Sequence, residues 1–194
     1  MRAFYLYSIP ALWVAWLLYW TAAAIGAKPT RRQESVASRL SHIVPLAAGI
    51  GLLATLHVPV AWLTARFLPP TAGWFWLGFC LVLIGLACTI AARIWLGRNW
   101  SGTVTLKQDH ELVRAGPYRW VRHPIYSGLL LAVLGSAIAL GEWRGVLALA
   151  LVTVAFVRKI AIEERFLIEE FGDAFRHYRR QVPSLVPLPG RRIG

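Results

Sequence analysis

Two stretches of this chain hold most of the residues whose types and spacing could do chemistry. The first, NWSGTVTLKQDHELVRAGPYRWVRHPIYSG (99–128), is too polar to lie in lipid and too aromatic to be only a linker. The second, RKIAIEERFLIEEFGDAFRHYRRQVP (158–183), sets acids and bases at helical spacing. In the first, Gly116-Pro117 signals a turn, and Pro124 stands where a helix should begin. His123 and the amides after it then lie at a helix N-terminus, which favours negative groups such as a ligand carboxylate. In the second, Lys159 and Glu163 are i and i+4 and share one helix face, with Glu164 beside them. Taken singly, these signals are weak. His123 and His110 read as hydrogen-bonded structural histidines, and His42, His57 and His177 have no supporting constellation. Lys159 and Glu163 alone read equally as an interfacial ion pair with a snorkelling lysine. Glu169, Glu170, Asp173, Arg176, Arg179 and Arg180 read as a solvated face.

The elements that must position these residues are apolar helices. The 194 residues are 57% hydrophobic and only 15% charged, with 21 Lys and Arg against 9 Asp and Glu, a formal charge of +12. Mean hydropathy is +0.54. Soluble domains run near 45–50% apolar and about 25% charged. Composition therefore excludes disorder, collagen and a disulfide scaffold, and points to a polytopic membrane protein. Uncharged gaps count the spans: 25 residues after Arg2, 26 after Arg39, 26 after Arg66, 19 after Arg122 and 13 after Arg144. Crossing a bilayer takes roughly 20 apolar residues. The fourth gap passes narrowly, and the fifth passes only if charged residues enter the membrane thickness.

Five transmembrane helices are expected, over about 4–27, 41–66, 74–97, 124–140 and 145–162, the last continuing as a cytosolic helix to about 181. The first reads as a retained span, because its apolar run exceeds that of a secretory leader. All but Arg2, Arg66 and Arg144 of the basic residues fall on one side. The positive-inside rule places that side in the cytoplasm and the N-terminus outside. This asymmetry accounts for most of the charge without a nucleic-acid partner, and the basic tail suits anionic lipid headgroups. Short loops and the lack of an extracytoplasmic cysteine pair suit a bacterial inner membrane. Trp13, Trp16, Trp20, Trp62, Trp74, Trp76, Trp95 and Trp143 fit aromatic belts. Gly78 and Gly85, seven apart, share a face that serves close helix packing or the approach of a cofactor ring.

On this scaffold, Lys159, Glu163 and Glu164 fall near the cytosolic membrane face, where buried charges mark a site by default. A charged, nucleoside-sized cofactor could reach it from the cytosol, and a lipophilic substrate sideways from the bilayer. The sequence has no GxGxxG fingerprint, P-loop, HExxH helix or nucleophile–base–orienter set. Cys80 and Cys88 have no metal-ligand spacing. Group transfer by positioning suits this inventory better than covalent or metal catalysis.

HELVRAGPYRWVRHPIYSG followed by EERFLIEEFGDAFRHYRRQVP resembles the isoprenylcysteine carboxyl methyltransferases and the related membrane phospholipid methyltransferases, over roughly residues 99–187. The resemblance implies an all-α, polytopic integral membrane enzyme that uses S-adenosylmethionine, its cytosolic cofactor pocket closed by a C-terminal helix. It implies one membrane domain, with a three-span part (1–97) before a methyltransferase core (98–194). By position, His110, Glu111, Leu112 and Val113 resemble the cofactor-lining loop, and Tyr118 the adenosine-pocket tyrosine. His123, Pro124, Ile125 and Tyr126 match the RHPxY segment that contacts cofactor. Glu163 aligns with the glutamate that holds the amino-acid end of S-adenosylmethionine, and Glu164 is the second of the paired acids. Lys159 stands where prenylcysteine methyltransferases carry a carboxylate-orienting arginine, and Arg158 is its neighbour. A lysine keeps the charge and loses the bidentate fork. If the acceptor is an amine, Glu164 and His123 are the candidate proton acceptors. The competing expectations are an NADPH-dependent steroid- or sterol-type reductase with a similar RHPxY-like end, and a non-catalytic membrane subunit.

Overall fold

In a computed structural model, residues 2–25, 30–55, 58–97, 105–107 and 112–188 are described. The centre is a pair of antiparallel helices, α4 (Ala72–Leu96) and α5 (Pro124–Leu140). With no water to drive apolar helices together inside a membrane, small residues let the backbones approach. Here Gly78 meets Gly135, and Gly85 meets Gly128. A Cβ on Gly78 would lie 2.4 Å from the Gly135 carbonyl oxygen, and one on Gly85 2.5 Å from that of Gly128. The glycine face thus serves helix packing, and a neighbouring backbone takes the space a cofactor ring would need.

α1 (Arg2–Ala24) lies against α4. Trp13 donates its indole N–H to Ser136 Oγ at 3.1 Å, and Trp16 donates to Thr89 Oγ1 at 2.7 Å. These two indoles therefore turn into the bundle instead of joining an interfacial belt, because two hydroxyls buried among apolar helices supply acceptors. Trp62, Trp74, Trp76, Trp95 and Trp143 are exposed.

α6 (Trp143–Phe171) packs antiparallel to α2 (Val36–Ala54) and also lies against α5. Four of the expected spans contain helices long and apolar enough to cross a membrane: Leu6–Ala24, Val36–Ala54, Ala72–Leu96 and Trp143–Phe171. Pro124–Leu140 is apolar but shorter, at 17 residues.

Three expectations are corrected. The span read as one helix over 41–66 starts earlier and breaks. Ser35 caps α2, its hydroxyl accepting from the Ser38 amide at 3.2 Å. The helix stops at Ala54, and a single turn, α3 (Ala61–Thr64), follows Pro59. A proline removes an amide donor and disfavours helix in the residue before it. The helix expected to run unbroken to 181 is interrupted at Gly172, whose φ of 51° is readily adopted only by glycine. α7 (Asp173–Gln181) then leaves in a new direction. Finally, the segments read as loops contribute a two-stranded antiparallel ribbon, β1 (Thr30–Gln33) with β2 (Thr105–Lys107). It ties the start of α2 to the loop before α5.

Candidate active site

The polar residues of the two chemistry-bearing stretches converge where α5 begins, α6 passes and α7 folds back. Pro124 opens α5, and His123 is its N-cap residue. The N–H groups of Arg122 and His123 donate to the carbonyls of Pro183 (2.9 Å) and Ser184 (3.0 Å). Ser127 Oγ donates to the Leu185 carbonyl at 2.6 Å. The chain after α7 is thereby strapped to the start of α5.

Arg122 anchors the arrangement. Its Nε and Nη2 donate to Glu164 Oε1 at 2.9 and 2.7 Å. Its Nη1 donates to the carbonyls of Val182 and, at 3.2 Å, Arg179. Both charged side chains are about nine-tenths buried. His123 sits between the paired acids, Nε2 at 3.1 Å from Glu164 Oε1 and Nδ1 at 3.6 Å from Glu163 Oε2. Tyr126 donates its hydroxyl to Glu163 Oε1 at 2.5 Å. Its ring stacks with those of His123 and Phe156, with centroids 5.7 and 4.9 Å apart. Lys159 Nζ lies 5.4 Å over the same ring, within cation–π range.

Beside this cluster opens a cleft of about 380 Å³, solvent mouth included, lined by Leu96, Leu112, Val113, Tyr118, Arg122, His123, Leu167, Phe175 and Tyr178. Its walls are apolar and aromatic, and α7 supplies Phe175 and Tyr178. The Tyr178 hydroxyl donates to the Tyr118 carbonyl at 2.6 Å, joining two walls. Burial pushes both phenols well above their ordinary pKa, so they remain neutral donors. Glu163 stands one turn before Leu167 on the same face of α6. An apolar aromatic cleft with a carboxylate next to its His123 wall suits a flat heteroaromatic ring joined to a cationic group. Among the described residues, no cluster of His, Cys, Asp and Glu could hold a metal.

Of the residues singled out in the sequence, Leu112, Val113, Tyr118 and His123 line this cleft. Tyr126, Glu163, Glu164 and Lys159 gather around His123 and the Tyr126 ring. Pro124 and Ile125 are buried in the first turn of α5. Arg158 does not converge, since its Nε donates to Ser41 Oγ on α2 at 3.2 Å. His110 and Glu111 lie outside the described residues. Sequence reasoning missed Arg122, Phe175 and Tyr178. For Arg122 a signal existed: an arginine placed directly before a helix N-terminus in a membrane protein needs a partner.

The phospholipid methyltransferase family model matches residues 74–174, one helix earlier than the resemblance noted above. The protein-S-isoprenylcysteine O-methyltransferase of Schizosaccharomyces pombe is 37% identical over 115 residues, which cover 58% of this chain and 48% of that protein. A probable protein-S-isoprenylcysteine O-methyltransferase of Oryza sativa subsp. indica is 31% identical over 144 residues, covering 71% and 75%. The chain belongs to the isoprenylcysteine carboxyl methyltransferase family. Its fold is that of the solved eukaryotic intramembrane Ras methyltransferase, with a TM-score of 0.51 and 25% identity, covering 80% of this chain and 50% of that one. The chain thus spans about half the length of the S. pombe relative and of the solved structure. The family members named here are methyltransferases, which favours that reading over the reductase expected as its rival. The relatives whose source is stated are eukaryotic and give no support to a bacterial inner membrane.

Proposed function

We propose that the chain is an S-adenosylmethionine-dependent membrane methyltransferase that methylates the carboxylate of a prenylcysteine-like or other lipid-tailed acceptor. The observation that carries this reading is the aromatic cleft with His123 in its wall, and Tyr126 and Glu163 beside that histidine, in a chain of this family. Leu112, Val113, Tyr118, Leu167 and Phe175 would hold the adenosine, and Glu163 the ammonium of the methionine end. S-Adenosylmethionine supplies a methyl group on a sulfonium, already a good leaving group. Tyr126 fixes Glu163 by a hydrogen bond, with His123 beside it, so the carboxylate needs little reorganisation when a cation arrives. Glu164 has one oxygen occupied by Arg122 and His123, and the other 3.8 Å from Arg179 Nη1. Its part is to hold the start of α5 to α6.

A carboxylate acceptor, with a pKa of about 4, is already ionised at neutral pH and needs no general base. Alignment and exclusion of water then carry the rate, and near-attack placement supplies roughly 7–11 kcal/mol. Lys159, over the Tyr126 ring, is the cation placed to orient the acceptor carboxylate. The site faces the cytosol, α7 closes over it, α5 completes a set of five spans, and the acceptor's tail enters from the bilayer. The basic segments gathered on that side support this orientation. The test is transfer of labelled methyl from S-adenosylmethionine to prenylcysteine analogues by the protein in detergent or vesicles. Labelled methyl ester is expected, and its absence with S-adenosylmethionine bound would remove the acceptor class.

A further inference from the structure

The last turn of α4 holds a buried arginine, Arg93, 6% exposed in an otherwise apolar helix. A cation buried in such a helix needs partners. Its Nη1 donates to the Gly97 carbonyl at 2.6 Å, and its Nη2 to the Ala23 carbonyl at 2.5 Å. Gly97 is the C-cap of α4. Ala23 lies in the last turn of α1, among carbonyls that have no partner inside their own helix. α1 runs parallel to α4, since Trp16 meets Thr89 and Ala23 meets Arg93. One guanidinium thus caps two parallel helices together, at the ends where their dipoles are negative. The planar fork of arginine suits two acceptors, and the point charge of a lysine would hold them less firmly.

The turn that Arg93 fixes is the seat of one wall of the cleft. Ala92 packs with Tyr118, and its carbonyl oxygen lies 3.5 Å from the Tyr118 hydroxyl. Gly116 rests on the Trp95 indole, where a Cβ would lie 2.4 Å from Trp95 Cδ2 and 2.5 Å from Cε2. Leu96 lines the cleft itself. Gly116 and Tyr118 belong to one short 3-10 turn, Gly116–Arg119. This wall therefore takes its position from Ala92, Trp95 and Leu96, all within one turn of α4. Trp20, in the last turns of α1, packs on the same cluster as Ala92 and Tyr118. A displacement of the end of α4 would move Tyr118 and Leu96 together.

We propose that Arg93 is a positioning residue for the cofactor, and that α1, which lies outside the residues 74–174 matched by the family model, acts on cofactor affinity through it. Arg93 does not line the cleft, and it works by holding the turn on which Tyr118 is seated. The inference rests on the proposed function, because the position of Tyr118 and Leu96 matters to affinity only where S-adenosylmethionine occupies this cleft.

The test is calorimetric titration with S-adenosylhomocysteine of wild type, Arg93→Met, Arg93→Lys and Thr89→Val. Thr89→Val removes the acceptor of the Trp16 indole one turn earlier on α4, so it loosens α1 from α4 without touching the cap. Arg93→Met and Thr89→Val should both lower the melting temperature by a few degrees. Arg93→Met alone should weaken binding, by about tenfold, the scale of one lost hydrogen bond from a charged group. Arg93→Lys should recover part of that loss. In turnover the loss should fall on the KM for S-adenosylmethionine, with kcat at saturating cofactor within about twofold of wild type. If Arg93→Met does not fold, Arg93→Lys, which keeps the charge, should still bind more weakly than wild type. Unchanged affinity in a folded Arg93 variant, or an equal loss in Thr89→Val, would overturn the inference and leave the cofactor reading standing. No binding by wild type would overturn the cofactor reading and this inference together.

Discussion

At one end of α6, Arg144 donates to Glu142 Oε2 at 2.6 Å and to the carbonyls of Leu52 and Thr55 that end α2. Toward the other end, Arg122 donates to Glu164 and to the carbonyls of Arg179 and Val182. Both are buried Arg–Glu pairs that tie chain segments to α6, and the helix-capping use of the two arginines is closely alike. They differ in what surrounds the pair. Around Arg144 one carboxylate meets one guanidinium. Around Arg122 a second carboxylate, Glu163, is held by Tyr126 and lies next to His123 beside an aromatic cleft. A buried ion pair is thus a fastening and is weak evidence of function. A carboxylate in excess, oriented next to a cleft, is what a cationic ligand requires.

Substitutions at the two ends separate fastening from function. Arg122→Ala should have the largest effect, leaving Glu164 buried without its partner at a cost of about 3–5 kcal/mol and unfastening the cleft wall. Thermal melts and S-adenosylhomocysteine titration should both fail in that variant. Arg144→Ala should destabilise by a similar or smaller amount, about 3 kcal/mol, because Glu142 is nearer the surface. Its folded fraction should bind ligand like wild type, and lost affinity there would erase the distinction between the ends. Tyr126→Phe removes one hydrogen bond to a carboxylate, so affinity for S-adenosylhomocysteine should fall roughly 10-fold with the melting temperature nearly unchanged. Arg158→Ala should be almost silent in activity, within about twofold, since among the described residues it makes an exposed contact to Ser41, away from the cleft. A large loss there would move the carboxylate-orienting role away from Lys159.

Much of this end was legible in the sequence because its signals are local. Pro124 after His123 marks a helix start, and Lys159 with Glu163 needs only a helical period to share a face. The apolar gaps located the helices for the same reason. What escaped depends on chain reversals. His42 has no carboxylate at helical spacing, because Glu34 lies before the N-cap and comes near it only once the chain bends there. Arg122 finds Glu164 and the carbonyls of the chain after α7 through tertiary folding. The break after Ala54 was in plain view at Pro59, but the uncharged run around it was read by hydropathy alone. Trp13 and Trp16 satisfy the belt pattern by position, and their acceptors Ser136 and Thr89 sit on other helices.

The most direct test of the account is calorimetric titration of the detergent-purified protein with S-adenosylhomocysteine and with NADPH, wild type beside Glu163→Gln. The account predicts that wild type binds S-adenosylhomocysteine and not NADPH. Glu163→Gln keeps its melting temperature and loses about 100-fold or more in affinity, as removal of a charge-assisted contact in a buried site implies. Undiminished binding by Glu163→Gln, or binding of NADPH alone, would contradict it.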